Sequence, residues 1–403
     1  MPKIKITEQD LTGLQSGTST SNTVYIPCMA NDTTGFGPTL CEYMSEITGL
    51  KDKVNSKSIA FKLAQRLVRL GMQVLIEGIP GTADTNTKDT ITPATAVPET
   101  SWTAIMDKTL YDIRFLSMGD FVGTAVDANM IACAEARQDC IALVDHKQTI
   151  TPESGSTYAD AVRDYIETTD ASTKTSVVLN SDFAAMFTPW IKVQDSVDFT
   201  EETAVPASFG YLLAYSRAAR NGNEGLAIAN YDLGSIPELT SVEHVYTQSE
   251  IEVLQARSAT QEVGLDDSDD NKGVAINPIA YVRPYNYVIW GNRTMHSNDG
   301  TIVAKSLLNI RNTACTIKKK LYDAARKYTF EQNSNILWIN FQAELAPTLT
   351  AMKTGNLLLG YKWDKLDTDS KTRLKARLTV VPVYAVEDFD LTLTLSDSLD
   401  VEE

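Results

Sequence analysis

Histidine and cysteine are scarce in this sequence. Its 403 residues include three histidines and five cysteines. No two cysteines form a Cys-x-x-Cys pair, and an odd number of scattered cysteines is not the pattern of a zinc site or a disulfide framework. The pattern instead predicts buried, reduced thiols at Cys28, Cys41, Cys133, Cys140 and Cys315.

Long apolar runs are also missing. Runs such as 74–76 and 141–144 fall far short of the roughly 20 residues that cross a bilayer. The opening segment, MPKIKITEQDLTG, contains no apolar stretch of the kind found in signal peptides. We therefore expect a chain that is made and folded in the cytoplasm of its host cell and does not insert into a membrane.

The motifs of common enzyme classes are absent as well. There is no Gly-x-Ser-x-Gly elbow, no P-loop and no Gly-x-Gly-x-x-Gly fingerprint. His146 follows Asp145 at the end of a predicted strand, where α/β enzymes often place site residues, but no motif supplies a nucleophile for it. His244 and His296 have no evident catalytic companion. We predict no catalytic residue and no cofactor, with a soluble α/β enzyme as the alternative.

Acidic residues outnumber basic residues, so the net charge is −16 and the sequence pI is about 4.7. An acidic surface repels phosphate backbones, so we expect no direct nucleic-acid partner. The acidic segment GLDDSDDNKG places Asp267, Asp269 and Asn271 with the alternation of a calcium loop. Gly273 comes one place late for that loop, and Pro278 stands where its bidentate glutamate belongs. We predict a solvated loop and no metal site.

What the sequence does contain is an alternation of buried strands and amphipathic helices. A strand over 23–29, a helix over 57–71 and a strand over 74–77 form a strand–helix–strand unit, which is typical of an α/β layer. Residues 81–101 are rich in Thr, Pro and Asp, and this composition predicts an exposed loop. Further helices are predicted at 126–138, 157–168, 206–220 and 248–258, with strands at 140–145 and 176–180. We predict an α/β core domain over 20–270, with a mixed sheet and flanking helices.

The last third has a different pattern. A Tyr- and Val-rich strand region over 280–290 precedes a long helix over 301–328 and a second helix over 344–353. A predicted strand over 377–383 is the last element of this region. This order predicts a smaller α+β C-terminal domain over 271–386.

Both ends of the chain have the alternation of a strand. The residues concerned are Lys3, Ile4, Lys5 and Ile6 at the start, and Phe389, Leu391, Leu393 and Leu395 at the end. The first strand is followed by a Gly-, Ser- and Thr-rich connector, and a strand on such a tether cannot be stable alone. Unpaired strand edges invite pairing with another chain, so we predict arms over 1–19 and 387–403 that join neighbouring subunits. Ordinary edge strands within the same domain are the alternative.

Six segments carry most of a resemblance to a known family, and PWIKV and PASFGYLLAYSRAARNGNEGLAIAN fit the middle of its core. In chain order the six segments are KIKITEQDLTG, TVYIPCMANDTTGFGPTLCEYMSEITGL, KSIAFKLAQRLVRLGMQVLIEGI, PYNYVIWGNRTM, LLNIRNTACTIKKKLYDAARKYTFEQNSNILW and VVPVYAVEDFDLTLTL. The fourth contains Trp-Gly-x-Arg-Thr at 290–294, and the fifth contains a Phe-Glu-x-Asn turn at 330–333. Together they resemble the contractile tail sheath family of phages, tailocins and extracellular injection systems. The short first arm lacks that family's Gly-Val-Tyr pattern, and no large inserted domain is present, so the resemblance implies a compact sheath subunit.

The resemblance implies a structural role and no catalysis. It implies a helical homopolymer of stacked hexameric rings around an inner tube, whose terminal arms add strands to the C-terminal sheets of neighbours. Contraction of this polymer would drive the tube through a target envelope. The implied partners are the inner tube protein and the baseplate and tail terminator proteins, and the implied location is the tail of a virion. A tailocin-like particle is equally compatible, and a capsid protein with similar arms is an alternative from another class.

A basic run lies within the predicted long helix. Residues 301–330 contain seven basic residues and one acidic residue, Asp323. A solvated helix face is one interpretation, because basic residues in the last turns complement the helix dipole. The other follows from the resemblance, and places this helix against an acidic inner tube. The candidates for tube contact are Lys318, Lys319, Lys320, Arg326 and Lys327.

Overall fold

The chain folds into an eight-stranded mixed sheet with flanking helices, followed by a smaller C-terminal domain with an antiparallel hairpin. The predicted α/β class is confirmed. The residues that this computed structural model describes are 22–83, 91–92, 94–169, 176–194, 197–255, 272–284, 286–299, 303–366 and 371–387.

The strands are short and lie mostly before residue 300. They are β1 (Val24–Met29), β2 (Phe36–Cys41), β3 (Val74–Ile79), β4 (Thr82–Ala83), β5 (Ile91–Thr92), β6 (Phe115–Ser117), β7 (Ile141–Asp145), β8 (Glu167–Thr169), β9 (Ser176–Val178), β10 (Ala184–Thr188), β11 (Ile191–Val193), β12 (Thr203–Val205), β13 (Leu239–Val242), β14 (Lys272–Val274), β15 (Asn277–Val282), β16 (Asn286–Ile289), β17 (Ser297–Asp299), β18 (Leu358–Leu366) and β19 (Lys375–Pro382).

The helices lengthen towards the C-terminus. They are α1 (Met44–Thr48), α2 (Ile59–Arg69), α3 (Glu99–Ala104), α4 (Thr124–Arg137), α5 (Tyr158–Ile166), α6 (Ala207–Arg220), α7 (Asn230–Leu233), α8 (Gln248–Leu254), α9 (Leu308–Lys327) and α10 (Asn335–Thr354).

The large sheet has the strand order β16-β15-β10-β7-β6-β1-β3-β2. The six central strands pair in parallel, and β2 and β16 pair antiparallel at the two edges. Every residue of β3, β7 and β10 is buried, as expected for parallel strands covered on both faces. A continuous core of apolar side chains surrounds this sheet.

The predicted strand–helix–strand unit is present as β1, α2 and β3. The side chain of Ser58 accepts a hydrogen bond from the backbone N–H of Phe61 at 3.1 Å and so caps the start of α2. Gly71, two residues after α2 ends, has a φ of +87°, which ends the helix in a conformation that glycine adopts readily. The Leu and Ala side chains of α2 are buried in the core around the sheet.

The turn after β6 ties three elements together. Gly119 has a φ of +59°, and a Cβ placed there would lie 1.8 Å from the carbonyl oxygen of Pro27, so the position requires glycine. The carboxylate of Asp120 then accepts hydrogen bonds from the N–H of Met29 at 3.0 Å, the N–H of Ala60 at 2.9 Å and the hydroxyl of Ser58. The turn thereby fixes the end of β1 against the start of α2.

The predicted exposed loop over 81–101 contains two short strands, and its last three residues belong to α3. The short strands β4 and β5 pair with each other, and α3 begins at Glu99 with Trp102 buried against Tyr25, their ring centroids 5.6 Å apart. Buried Glu77 holds this region, because it accepts hydrogen bonds from the hydroxyls of Tyr25 at 2.6 Å and Ser101 at 2.7 Å. Residues 84–90 lie outside the described residues.

The two long helices differ from their predicted limits. Helix α9 begins at Leu308, seven residues later than predicted. Helix α10 begins at Asn335, nine residues earlier than predicted, and the side chain of Ser334 accepts a hydrogen bond from the N–H of Leu337 at 3.2 Å. Apolar side chains occur on the exposed face of α10 as well as on its buried face, which weakens the helical periodicity in the sequence.

The large sheet extends past the predicted domain boundary at 270/271. Strands β15 and β16 belong to its edge, and Leu308 and Cys315 of α9 still pack in its core. A second apolar cluster begins at Ile317 and is completed by α10 and the hairpin of β18 and β19. The packing therefore changes from one cluster to the other within α9.

Candidate assembly surfaces

The C-terminal domain is a two-layer unit in which helices α9 and α10 support the β18–β19 hairpin. Its core contains Phe341, Leu345 and Leu349 of α10. Trp338 and Trp363 meet edge-to-face above this core, with ring centroids 5.8 Å apart. The aromatic packing holds one face of the hairpin firmly on α10.

The hairpin leaves both of its edges open. Strands β18 and β19 pair antiparallel from Leu358–Pro382 to Leu366–Lys375, and no other strand of the described residues pairs with either one. A two-stranded sheet is only marginally stable by itself, so here α10 supplies the missing support. The outer backbone N–H and C=O groups remain directed at positions where another strand can add.

The predicted arm residues fall outside the described residues at both ends of the chain. The last described residue, Glu387, forms an ion pair with Arg293 of the Trp-Gly-x-Arg-Thr segment. Arg293 is buried, and its backbone N–H donates to the side-chain oxygen of Asn277 at 2.7 Å. The C-terminal arm therefore starts from a fixed point beside the large sheet.

Two of the predicted tube-contact residues are buried in the subunit. The ammonium group of Lys319 pairs with Asp112 and donates to the carbonyl oxygen of Ile113 at 2.7 Å. The ammonium group of Lys318 lies 4.8 Å from the ring centroid of Phe183. Burial lowers the pKa of Lys319, although the nearby carboxylate of Asp112 opposes this shift.

The other three candidates lie further along α9. Lys320 is partly exposed, and Arg326 and Lys327 are exposed. Lys327 forms an ion pair with Glu344 of α10 at 2.6 Å. Their contact with a tube stays a prediction, and Lys320 and Arg326 are the best placed of the five.

The first half of α9 is joined to the large sheet by polar contacts. Buried Arg114, which directly precedes β6, donates to the side-chain oxygen of Asn312 at 2.7 Å and to the hydroxyl of Thr316 at 2.9 Å. Arg311 pairs with Asp182 and stacks over Phe183, 4.4 Å from its ring centroid. Sequence reasoning missed this role, because a basic side chain on a helix is most often solvated.

An exposed apolar surface lies at the turn between α9 and α10. Phe330 is 90% exposed and has a φ of +75°, which is unusual for a bulky residue. Ile336 and Ile339, on the outer face of α10, are 70% and 61% exposed. The Phe-Glu-x-Asn pattern at 330–333 was the sequence signal for this turn.

The end of β7, where His146 suggested a site, is a closed hydrogen-bond network. Nδ1 of His146 lies 2.7 Å from the carbonyl oxygen of Lys147, so it carries the proton. Nε2 therefore accepts from the hydroxyl of Thr188 at 2.9 Å, and Thr188 accepts from the hydroxyl of Tyr246 at 2.7 Å. Burial lowers the pKa of His146 to about 4, so the ring is neutral at pH 7.

Asp145 beside it holds the start of α6. Its carboxyl group accepts from the N–H of Ser208 at 2.8 Å and contacts the Ser208 hydroxyl at 2.5 Å. Burial raises the pKa of Asp145 to about 7 despite these hydrogen bonds. The arrangement satisfies each group internally, which is the geometry of a structural network.

The remaining candidate chemistry is limited. All five cysteines are buried, and burial raises the pKa of the Cys133 thiol to about 11. Within the described ranges, no cluster of three or more His, Cys, Asp or Glu side chains is arranged to hold a metal ion. No helix in the same ranges is long and apolar enough to span a membrane. The predicted acidic loop lies outside the described residues up to Lys272, where β14 begins.

Comparison with solved structures gives matches along nearly the whole chain. The PVC sheath complex of an extracellular contractile injection system, in its contracted state, matches with a TM-score of 0.65 and 16% identity over 98% of each chain. This chain has the contractile-sheath fold. A chain of the anti-feeding prophage (AFP) baseplate matches this sheath fold with a TM-score of 0.62 and 14% identity, over 98% of this chain and 99% of that one.

A more distant match to the sheath fold is a sheath tail protein from Listeria innocua. It has a TM-score of 0.50 and 7% identity, over 91% of this chain and 96% of that one. No protein-family model matches the sequence, and no curated protein matches it. The resemblance found in the sequence segments is therefore supported by the shared fold and its full-length coverage.

Proposed function

We propose that this chain is the sheath subunit of a contractile injection machine. The observation that carries the proposal is the full-length match to sheath chains, with 98% coverage on both sides for the PVC sheath. A fold alone does not fix a function, but a match without unpaired domains leaves little of the chain for another role. The open hairpin and the strand-like ends supply the joints that such a polymer needs.

In the proposed assembly, terminal arms connect subunits by strand addition. The hairpin of β18 and β19 receives strands from neighbouring copies, and the arms at 1–19 and 387–403 supply them. Such contacts join different surfaces of identical subunits, so they propagate as a helix and do not close as a dimer. Backbone hydrogen bonds then hold each joint while the connectors change direction.

The proposed work of the sheath is mechanical. Stacked hexameric rings surround an inner tube in an extended, metastable arrangement, and rearrangement into a denser one releases free energy. Rigid subunits that repack about flexible joints are a known route for such transitions. The role includes no catalytic step and no cofactor.

The proposed partners are the inner tube protein and the baseplate and tail terminator proteins of the same particle. Both an infectious phage tail and an injection particle without a genome are compatible with this role. The higher TM-scores for the PVC and AFP chains than for the Listeria innocua protein favour the injection particle.

Negative-stain electron microscopy of the purified protein over a range of concentrations tests the proposal. We expect long hollow cylinders with a regular helical lattice. Shells would favour the capsid alternative. Small, discrete particles at every concentration would contradict a sheath role and direct attention to an enzyme.

The proposed contact with an acidic tube predicts a charge effect on α9. Lys320→Glu combined with Arg326→Glu is expected to reduce co-sedimentation of the sheath with its tube protein, because exposed charges set register and attraction between partners. Lys353→Glu, at an exposed position near the end of α10, is the matched control. Equal co-sedimentation of all three proteins would exclude this helix as the tube contact.

A further inference from the structure

Residues 291–295, here called the clamp segment, run between the large sheet and the start of α9. On the sheet side, the backbone N–H of Met295 donates to the carbonyl oxygen of Ala184 of β10 at 2.7 Å. On the helix side, the N–H of Thr294 donates to the carbonyl oxygen of Ser306 at 3.0 Å. The clamp segment is therefore fixed from both sides by backbone hydrogen bonds.

Asn277 of β15 adds a side-chain attachment to the sheet. It is fully buried, and its Oδ1 accepts from the N–H of Arg293 at 2.7 Å. Its Nδ2 donates to the carbonyl oxygens of Arg293 at 2.8 Å and of Met186 of β10 at 3.0 Å. A Cβ at Gly291 would lie 2.7 Å from this Oδ1, so the glycine allows the close approach. Asn277 thus connects the backbone of Arg293 to two neighbouring strands of the large sheet.

Asn292 adds a side-chain attachment to α9. Its Nδ2 donates to Oδ1 of Asn309 at 2.7 Å, and its Oδ1 accepts from the N–H of Asn309 at 3.1 Å. The hydroxyl of Thr294 donates to the carbonyl oxygen of Lys305 at 2.8 Å. Because the first N–H groups of a helix have no partner within the helix, the contact with Asn309 anchors the start of α9. Arg293 therefore lies on a support that reaches both the sheet and the helix.

The side chain of Arg293 holds the end of the described chain. Arg293 is buried, and its guanidinium forms an ion pair with Glu387. Such charge-assisted pairs are stronger than hydrogen bonds between neutral groups. Four residues, 383–386, separate this pair from Pro382 at the end of β19, and they lie outside helices and strands.

The hairpin of β18 and β19 is the weak element next to this ion pair. Its first register pair, Leu358–Pro382, lies at the end of β19 from which the chain leaves. Hydrogen bonds of an antiparallel pair run perpendicular to the strands, so a pull on that end opens them one at a time. The described part of the chain supplies no third strand to support them. A force that reached Pro382 would therefore unzip the hairpin from its base.

The other end of the chain is attached more strongly. Strand β1 pairs in parallel with β3 along its whole length and with β6 on its other side. A pull along a central strand of this kind loads several hydrogen bonds at once. Tension between the two ends of the chain would therefore open the hairpin before the large sheet.

We propose that the Arg293–Glu387 ion pair is a load clamp that protects the hairpin. Tension on residues beyond 387 stops at Arg293 and passes through Asn277 and Asn292 into the large sheet and α9, so it bypasses β19. This inference rests on the proposed function, because a contracting assembly is what applies such tension. It assigns the arginine of the Trp-Gly-x-Arg-Thr segment a positioning role.

Force measurements on single full-length chains test the clamp. One handle is always at the N-terminus, and the other is either at the C-terminus or at Val381→Cys, a position on β19 that is 41% exposed. The five native cysteines are buried, so the introduced thiol is the one that reacts. Opening of the hairpin gives a step on the order of 50–100 Å, since it releases roughly 20 to 30 residues. Loss of the large sheet gives a far longer step.

Glu387→Gln keeps the size of the side chain and removes its charge. Pulled from the C-terminus, this variant is expected to shorten the lifetime of the hairpin at constant force about tenfold or more, as for the loss of one charge-assisted hydrogen bond. Pulled from residue 381, it is expected to match the parent, because the load then acts on β19 directly. Glu344→Gln, which breaks the exposed ion pair with Lys327, is the matched control and is expected to change either lifetime by less than about threefold.

Equal shortening by Glu387→Gln in both pulling directions would mean that the ion pair only stabilises the domain, and would overturn the load clamp. Unchanged lifetimes in both directions would overturn it as well. These measurements need no polymer, so their failure is distinct from failure of the proposed sheath function, which an absence of hollow cylinders would show.

Discussion

Deletion of residues 1–17 is expected to abolish polymers while leaving a folded subunit. The described core starts at residue 22 with β1 at Val24, so the deletion removes no part of the sheet. A four-residue strand contributes about two to four backbone hydrogen bonds, each worth roughly 0.5–1.5 kcal/mol net. A loss of about 3 kcal/mol raises the critical concentration about a hundredfold. Sedimentation and electron microscopy measure the polymers, and thermal unfolding measures the fold.

Two double substitutions test whether the arm acts by strand pairing or only by its length. Ile4→Pro with Ile6→Pro removes two backbone N–H donors and should reproduce the deletion. Ile4→Val with Ile6→Val keeps the donors, the apolar face and the β-propensity, and should polymerise like the parent. Full polymerisation of the deleted chain would refute the arm at this end. A drop in melting temperature instead would favour an edge strand within the same domain.

The parts of the fold that could be predicted are those with one strong local pattern. Helix α2 combines an apolar stripe with a serine at its start and a glycine after its end, so its limits follow from periodicity and capping. The fully buried strands β3 and β7 appear as short apolar runs between helices. Their positions were predicted to within two residues of those observed.

The parts that could not be predicted depend on contacts between distant residues. Strand β6 is three residues long and exists because it pairs with both β1 and β7. The buried state of Lys319 depends on Asp112, 207 positions earlier. Strand β18 alternates aromatic with charged residues over 361–364, and only the α10 surface beneath it shows which face is inward.

Contacts between distant residues also change which basic residues of α9 are candidates for tube contact. A run of basic residues in α9 suggested one charged face, but the structure divides it between a buried seam with the sheet and a few exposed positions near the end of the helix. The hairpin, which sequence reasoning predicted only at its second strand, instead carries exposed positive charge next to open backbone edges. Burial and strand order therefore decide where an acidic partner can bind.

Substitution of Asp145 is expected to change how stability depends on pH. The pKa of this carboxyl is raised to about 7 in the folded chain, against about 3.9 when unfolded. Its contribution to stability is therefore complete below pH 4 and is lost as the pH rises towards 7, by about 1.4 kcal/mol per unit. Relative to the parent, Asp145→Asn should gain about 3 kcal/mol in unfolding free energy between pH 4 and pH 7.

Urea unfolding at several pH values, below the concentration at which polymers form, measures this difference. Asp323→Asn, at an exposed position on α9, is the matched control for a change of carboxyl to amide. A difference between Asp145→Asn and the parent that does not vary with pH would contradict a protonated, buried carboxyl. Because only differences are compared, titration of the other groups cancels.

His146, the next residue, makes a contribution to stability whose dependence on pH is opposite to that of Asp145. Its pKa is lowered to about 4 in the folded chain from about 6.5 when unfolded, so its contribution is complete above pH 6.5 and is lost as the pH falls towards 4. Relative to the parent, His146→Gln should lose about 3 kcal/mol as the pH rises from 4 to 6.5. In the parent, the pH dependences of stability from Asp145 and His146 oppose each other over this range. Replacing either residue therefore reveals the pH dependence that the other contributes. Slopes of the same sign would contradict the opposite shifts of the two pKa values.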